Sequence, residues 1–161
     1  MKLTIDDLKY SGMFNDIDVH LADFLCGKAS ESDPVLYLII LLLSNRLSQG
    51  DVCLDISGIA GRPLIDFTEP GELSVDIIIP DKKKILSVLK KSGISGGEGE
   101  LLPLIADDHG RIYFQKYNFF EKQLAESVKK MARQVLPDEV TAEVSELFAS
   151  LFSNNKSETD W

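Results

Sequence analysis

The chain has 161 residues, 44% of them hydrophobic and 27% charged, which is enough for one domain with a proper core and excludes a disordered protein. The net charge of −9 is uneven: residues 1–80 carry 13 acidic and 5 basic side chains, residues 81–161 carry 13 and 12. Non-specific DNA affinity comes mainly from Lys and Arg neutralising phosphates. The N-terminal half is therefore a poor surface for gripping DNA, and it suits a basic protein partner or plain solubility equally well.

The two cysteines, Cys26 and Cys53, sit in apolar contexts with no second Cys or His at ligand spacing. They read as inert core thiols rather than a disulfide or a metal pair. The N-terminal residues Met1–Asp7 lack an apolar stretch, so no secretory signal is expected and a reducing cytoplasm fits. The longest apolar run, Val35 to Leu43, has nine residues, well short of the ~20 that a membrane span needs.

Taken in order, residues Thr4 to Lys9 predict a short helix and Phe14 to Lys28 an amphipathic one. In the second, Ile17, Leu21, Phe24 and Leu25 share a face, Asn15 or Asp16 serves as cap, and Gly27 loosens the end. Asp33 is a good N-cap and Pro34 suits the first helical position, so Pro34 to Gln49 predicts a helix buried on nearly all sides, closed by Gly50. After Gly50 the period changes. Val52, Leu54 and Ile56 alternate with polar residues, which predicts a half-buried strand at about 51–56. Residues 57–74 read as an irregular connection and Val75 to Ile79 as a brief extended piece. Asp81 caps a helix through Lys91 with Ile85, Leu86, Val88 and Leu89 on its buried side, stopped by Gly93. The Gly-rich stretch Ile94 to Glu100 reads as a flexible loop. It holds two glutamates and lacks the Gly-Lys-Ser/Thr ending that places a lysine and a helix N-terminus on phosphates, so it is not a nucleotide site.

Leu102 to Ala106 and Arg111 to Gln115 predict a hairpin around Asp107-Asp108-His109-Gly110, whose Asp and Gly supply turn geometry. Asn118 with Glu121 marks a capping-box-like helix start. That helix carries Phe120, Leu124, Val128, Met131 and Val135 on one side and Lys129, Lys130 and Arg133 on the other. A last helix from near Asp138 turns Val140, Val144, Leu147, Phe148 and Leu151 inward, and 153–161 is linker-like. The expected fold is α+β, a mainly helical domain over 1–152. Its small antiparallel sheet consists of the hairpin at about 102–115 and the strand at about 51–56.

Little in this pattern carries chemistry. His20 falls on the polar side of its helix. His109 shares a turn with Asp107 and Asp108, where backbone geometry claims the carboxylates before a metal does. No serine stands in a Gly-x-Ser-x-Gly elbow, and Asp55, Asp66 and Glu72 read as solvated or capping groups. No catalytic, cofactor-binding or metal residues are expected. The candidates for nucleic-acid contact are Lys82, Lys83, Lys84, Lys90, Lys91, Lys129, Lys130 and Arg133, which a solvated helix face explains as well. The aromatics Tyr113, Phe114, Tyr117, Phe119 and Phe120 interleave with Arg111 and Lys116 as stacking groups do, but their periods place most of them in the core.

Four collinear segments carry a resemblance. They are Phe14-Asn-Asp-Ile-Asp-Val-His-Leu-Ala-Asp-Phe-Leu25, Gly50-Asp-Val-Cys-Leu-Asp-Ile56, Pro103-Leu-Ile-Ala-Asp-Asp-His-Gly-Arg-Ile-Tyr-Phe114 continuing to Leu124-Ala125, and Asp160-Trp161. Together they resemble the start of the exodeoxyribonuclease V alpha subunit family, RecD. Asp51 stands where the family often has His, and Asn118 where it often has Trp. The resemblance implies the N-terminal interaction domain of an ATP-dependent 5′-to-3′ DNA helicase subunit of RecBCD, acting in recombinational double-strand break repair. It implies docking to the RecC-like gamma subunit and, through it, to the RecB-like beta subunit. Asp160-Trp161 is similar to the Asp-Trp-Gln that opens the family's P-loop helicase core. By this reading residues 153–161 lead into a core this chain lacks, ATP and Mg belong to that core, DNA is contacted mainly there, and the fragment is not itself an enzyme. The alternative is a nucleic-acid-binding accessory module using Lys82–Lys91 and Lys129–Arg133.

Overall fold

The computed structural model describes residues 4–31, 33–67, 77–133 and 138–152. Residues 1–122 and 123–161 form two compact units. In the first, α1 (Ile5–Lys9) starts on a reciprocal capping box in which Thr4 Oγ1 accepts from the Asp7 N–H and Asp7 accepts from the Thr4 N–H. It is followed by α2 (Asp16–Cys26) and α3 (Pro34–Ser48). Asp33 caps α3 as expected, its carboxylate accepting from the Val35 N–H at 2.8 Å, and Gly50 leaves the helix region at φ 97°. Every residue from Val35 to Asn45 is buried, because α3 is packed by α1, α2, α5 (Lys82–Lys91) and the sheet. A helix that is apolar all round is stable only in such a central position.

The sheet has four strands in the order β1 (Leu54–Asp55), β4 (Arg111–Phe114), β3 (Leu104–Ala106), β2 (Ser95–Gly96). The expected hairpin is β3–β4, antiparallel, with Ile105 opposite Tyr113. Two details differ from the sequence reading. The sheet is mixed rather than antiparallel, since β2 pairs parallel with β3 inside the stretch read as a flexible loop. The strand expected at 51–56 is only two residues long, because Asp55 caps a helical turn, α4 (Ile56–Ile59), with its side chain on the Ser57 N–H. Alternation in so short a run does not separate a strand from a helix start that also buries Ile56 and Ile59.

The connection after β1 is less irregular than expected: it holds α4, a 3₁₀ turn at Leu64–Asp66 and a bridge between Pro63 and Ile78. α5 begins at the predicted Asp81 cap, but Leu86 lies at its exposed edge while Ile85, Val88 and Leu89 are buried. α6 (Gln115–Ala132) starts three residues before the expected Asn118. β4 runs straight into it, and the Gln115 N–H donates to the Pro103 carbonyl, so Asn118 is a buried residue of the first turn rather than a cap.

The second unit holds the later part of α6 and α7 (Asp138–Phe152), which starts where expected, but Val144, Leu147, Phe148 and Leu151, expected to turn inward, are exposed. The expectations on Glu72, Val75, Val135, the side chain of Val140 and the linker at 153–161, with Asp160 and Trp161, lie outside the described residues.

Candidate docking surface

α2 turns its faces differently from the simple apolar-stripe reading. Asp18, Ala22, Leu25 and Cys26 are buried against α3, whereas Ile17 is 77% and Phe24 61% exposed, with Leu21 half-buried between them. A carboxylate is expensive to bury unless its oxygens are satisfied. Asp18 meets that condition: one oxygen accepts the Ser44 hydroxyl of α3 and the other the Asn15 N–H. Ala22 is buried and carries only a methyl group, which lets the two helices approach closely. Together these residues set the rotation of the helix and leave Ile17 and Phe24 in water, with Leu21, between them at the i, i+4, i+7 spacing, packed against the core from a half-buried position. Lys28 lies over the Phe24 ring at 5.8 Å, and Asp16 and His20 are exposed beside it.

On another side of α2, the Lys9 ammonium of α1 meets the Asp23 carboxylate at 2.7 Å, and Tyr37 donates to the same group at 2.9 Å. The lysine's hydrogen bond, with help from Tyr37, holds Asp23 below the usual carboxylate range. This pair joins α1 to α2. It is a structural contact rather than a reactive one.

The lysines of α5 do not form one basic face. Lys82 donates to the Ser57 hydroxyl at 3.0 Å, and Lys84 pairs with Asp33 at 3.6 Å. Lys84 and Lys91 share a groove with the acidic Glu31 and Asp33. Lys83 and Lys90 are exposed. Lys129, Lys130 and Arg133 are exposed in the second unit. The aromatics expected in the core divide: Tyr113 is buried, Phe114 packs against the core from a half-buried position, and Tyr117, Phe119 and Phe120 are substantially exposed.

At the hairpin turn Asp107 is fully engaged. One oxygen accepts the N–H groups of His109 and Arg111, and the other meets the Arg111 guanidinium at 2.7 Å. Burial alone would raise this carboxyl's pKa, but those hydrogen bonds outweigh it and hold the group below its ordinary value. Gly110, at φ 85°, lies so close to Lys82 that a Cβ there would meet Nζ at 2.8 Å. The cluster serves the turn. Cys26 is buried and its thiol is pushed up to about 11, mainly by desolvation, and Cys53 is also raised for the same reason. Neither has the lowered pKa of a reactive thiol.

No described group of three or more His, Cys, Asp or Glu residues is placed to hold a metal ion, and no described helix is long and apolar enough to cross a membrane. What the first unit offers is surface: an apolar stripe on α2 within the acid-rich half. Residues 10–113, nearly two thirds of the chain, match the family model described as the N-terminal domain of the RecBCD enzyme subunit RecD. The chain belongs to the RecD N-terminal domain family. It is also 26% identical over 147 residues to the RecBCD enzyme subunit RecD of Mycolicibacterium smegmatis, an alignment covering 91% of this chain and 24% of that protein. The chain thus spans about a quarter of the length of this curated relative. The family region contains α2, α3, α5 and β1 to β3 in full.

Proposed function

We propose that this chain is an assembly domain that attaches a RecD-type helicase subunit to its complex, docking on the gamma (RecC-like) subunit and through it reaching the beta subunit. The observation that carries the reading is the exposed pair Ile17 and Phe24 on α2, with half-buried Leu21 between them. Large apolar side chains held in water on an ordered helix mark protein contact surfaces, and aromatic anchors dominate such contacts. The excess of acidic residues in 1–80 favours a partner surface that carries Lys and Arg around its apolar sites. On this reading the domain performs no chemistry of its own. ATP and Mg act in the helicase core of the longer parent, and the parent's role is the processing of broken DNA ends in a reducing cytoplasm.

The test is gel filtration of the chain with the gamma subunit of the same complex. Co-elution at micromolar concentration is expected, as is its loss in Phe24→Ser with the fold unchanged by circular dichroism. Two folded proteins that elute separately would sink the reading.

A second reading is nucleic-acid binding through Lys82, Lys83, Lys84, Lys90, Lys91, Lys129, Lys130 and Arg133, favoured by the exposure of Lys83 and Lys90. It requires an affinity for single-stranded or duplex DNA that falls steeply with salt. A flat, negligible signal at low salt removes it.

A further inference from the structure

A second exposed apolar surface lies in the second unit and is independent of the proposed docking stripe on α2. On α6, Leu124, Val128 and Met131 are spaced i, i+4, i+7; on α7, Val144, Leu147 and Leu151 are spaced i, i+3, i+7, and all six are between 51% and 66% exposed. Each set forms one stripe on its helix. We propose that α6 and α7 close on one another as an antiparallel helical hairpin, each stripe being the cover of the other.

Three observations point to α7 as the occupant of the α6 stripe. The first is register. Val128 lies four residues before α6 ends at Ala132 and Val144 six after α7 begins at Asp138, while Leu124 and Leu147 lie eight and nine away from the same ends. In an antiparallel arrangement Val128 therefore falls nearest Val144 and Leu124 nearest Leu147, within two residues of the same height. The second is charge. α6 holds four lysines against two glutamates, whereas α7 holds four acidic residues and no basic one. An antiparallel arrangement sets the lysine-rich α6 against the acid-rich α7. The third is chain length. Five residues, 133–137, separate the helices, a connection typical of antiparallel neighbours. So short a link presents each stripe to the other at an effective concentration in the ~mM range, which outcompetes a second copy present at micromolar concentration.

Cysteine crosslinking tests the closure in the whole chain. Val128→Cys with Val144→Cys joins the nearest stripe positions, and Glu126→Cys with Glu146→Cys joins positions on the opposite faces. Under a mild oxidant the stripe pair is expected to form an intrachain disulfide at least ~10-fold faster than the back pair. Peptide mapping separates that bridge from any made by Cys26 or Cys53. Equal rates for the two pairs, or a disulfide joining two chains, overturns the proposal; the second result would make another copy the cover. The unmodified chain supplies a check that no substitution can disturb. Closure slows amide hydrogen exchange in residues 123–132 and 141–151 together, whereas helices left single in water exchange rapidly throughout, and that result also overturns it.

Discussion

Asp107 shows how a residue that invites a catalytic reading serves the backbone instead. Its side chain is 3% exposed and accepts from two N–H groups and one guanidinium. Removing the acceptor leaves part-buried donors unmet, at about 1–3 kcal/mol for such a group. Asp107→Ala is accordingly expected to lower chemical stability by roughly that amount, read from the urea midpoint. The folded pKa lies below the unfolded value of about 3.9. The ionised group's contribution is therefore complete above that value and is lost as pH falls through the folded pKa. Between about pH 5 and 3 the melting temperature of Asp107→Asn should fall less steeply than that of the unaltered chain. Parallel curves would mean that Asp107 is not the titrating group. Gly110→Ala should cost about 1–3 kcal/mol, because φ 85° is a left-handed conformation and the new methyl also meets Lys82. This turn was legible in sequence because Asp-Asp-His-Gly acts on its own backbone within four residues. The buried role of Asp18 was not, since its partner Ser44 lies 26 residues away and nothing local announces it.

At the scale of elements, α3 was legible and α2 was misread, and the contrast has a physical cause. α3 is apolar all round, so any rotation buries the right residues, and its Asp33 cap and Gly50 exit fix both ends. α2 has apolar residues on two flanks, and only its partner decides which turns inward. The decision rests on the Asp18–Ser44 hydrogen bond and on the fit of Ala22 against α3. Ala22→Leu should therefore overpack the α2–α3 contact and cost about 1–3 kcal/mol. Ile17→Ser should stay within about 0.5 kcal/mol of the unaltered chain. The reading from the apolar stripe alone makes the opposite prediction, and two urea titrations separate them. β2 was missed for a related reason. Ser95-Gly96 has no strand pattern of its own and is extended because β3 offers it a parallel partner.

For the molecule as a whole, the sequence resemblance and the family match agree on kinship, while the surface proposed for docking is defined only once the rotation of α2 is known. That surface combines an apolar centre with a net-acidic half, and the two features should act on different steps of association. Long-range attraction between an acidic domain and a basic partner acts on encounter and is screened as the Debye length falls from about 10 Å at 0.1 M salt to about 3 Å at 1 M. Burial of Phe24 acts after contact, on the lifetime of the complex, where most affinity differences between variants of one interface arise. Surface plasmon resonance with the immobilised gamma subunit should therefore show an association rate that falls with salt while the dissociation rate stays nearly constant. Phe24→Ser should raise the dissociation rate by about 30-fold, the effect of an aromatic anchor contributing about 2 kcal/mol, with little change in association. Asp16→Lys, which reverses one exposed carboxylate beside the stripe, should slow association and leave dissociation nearly unchanged. If Phe24→Ser binds like the unaltered chain while Lys83→Glu and Lys90→Glu abolish binding, the contact lies on α5 rather than α2. If all of these variants bind alike, the gamma subunit recognises neither helix.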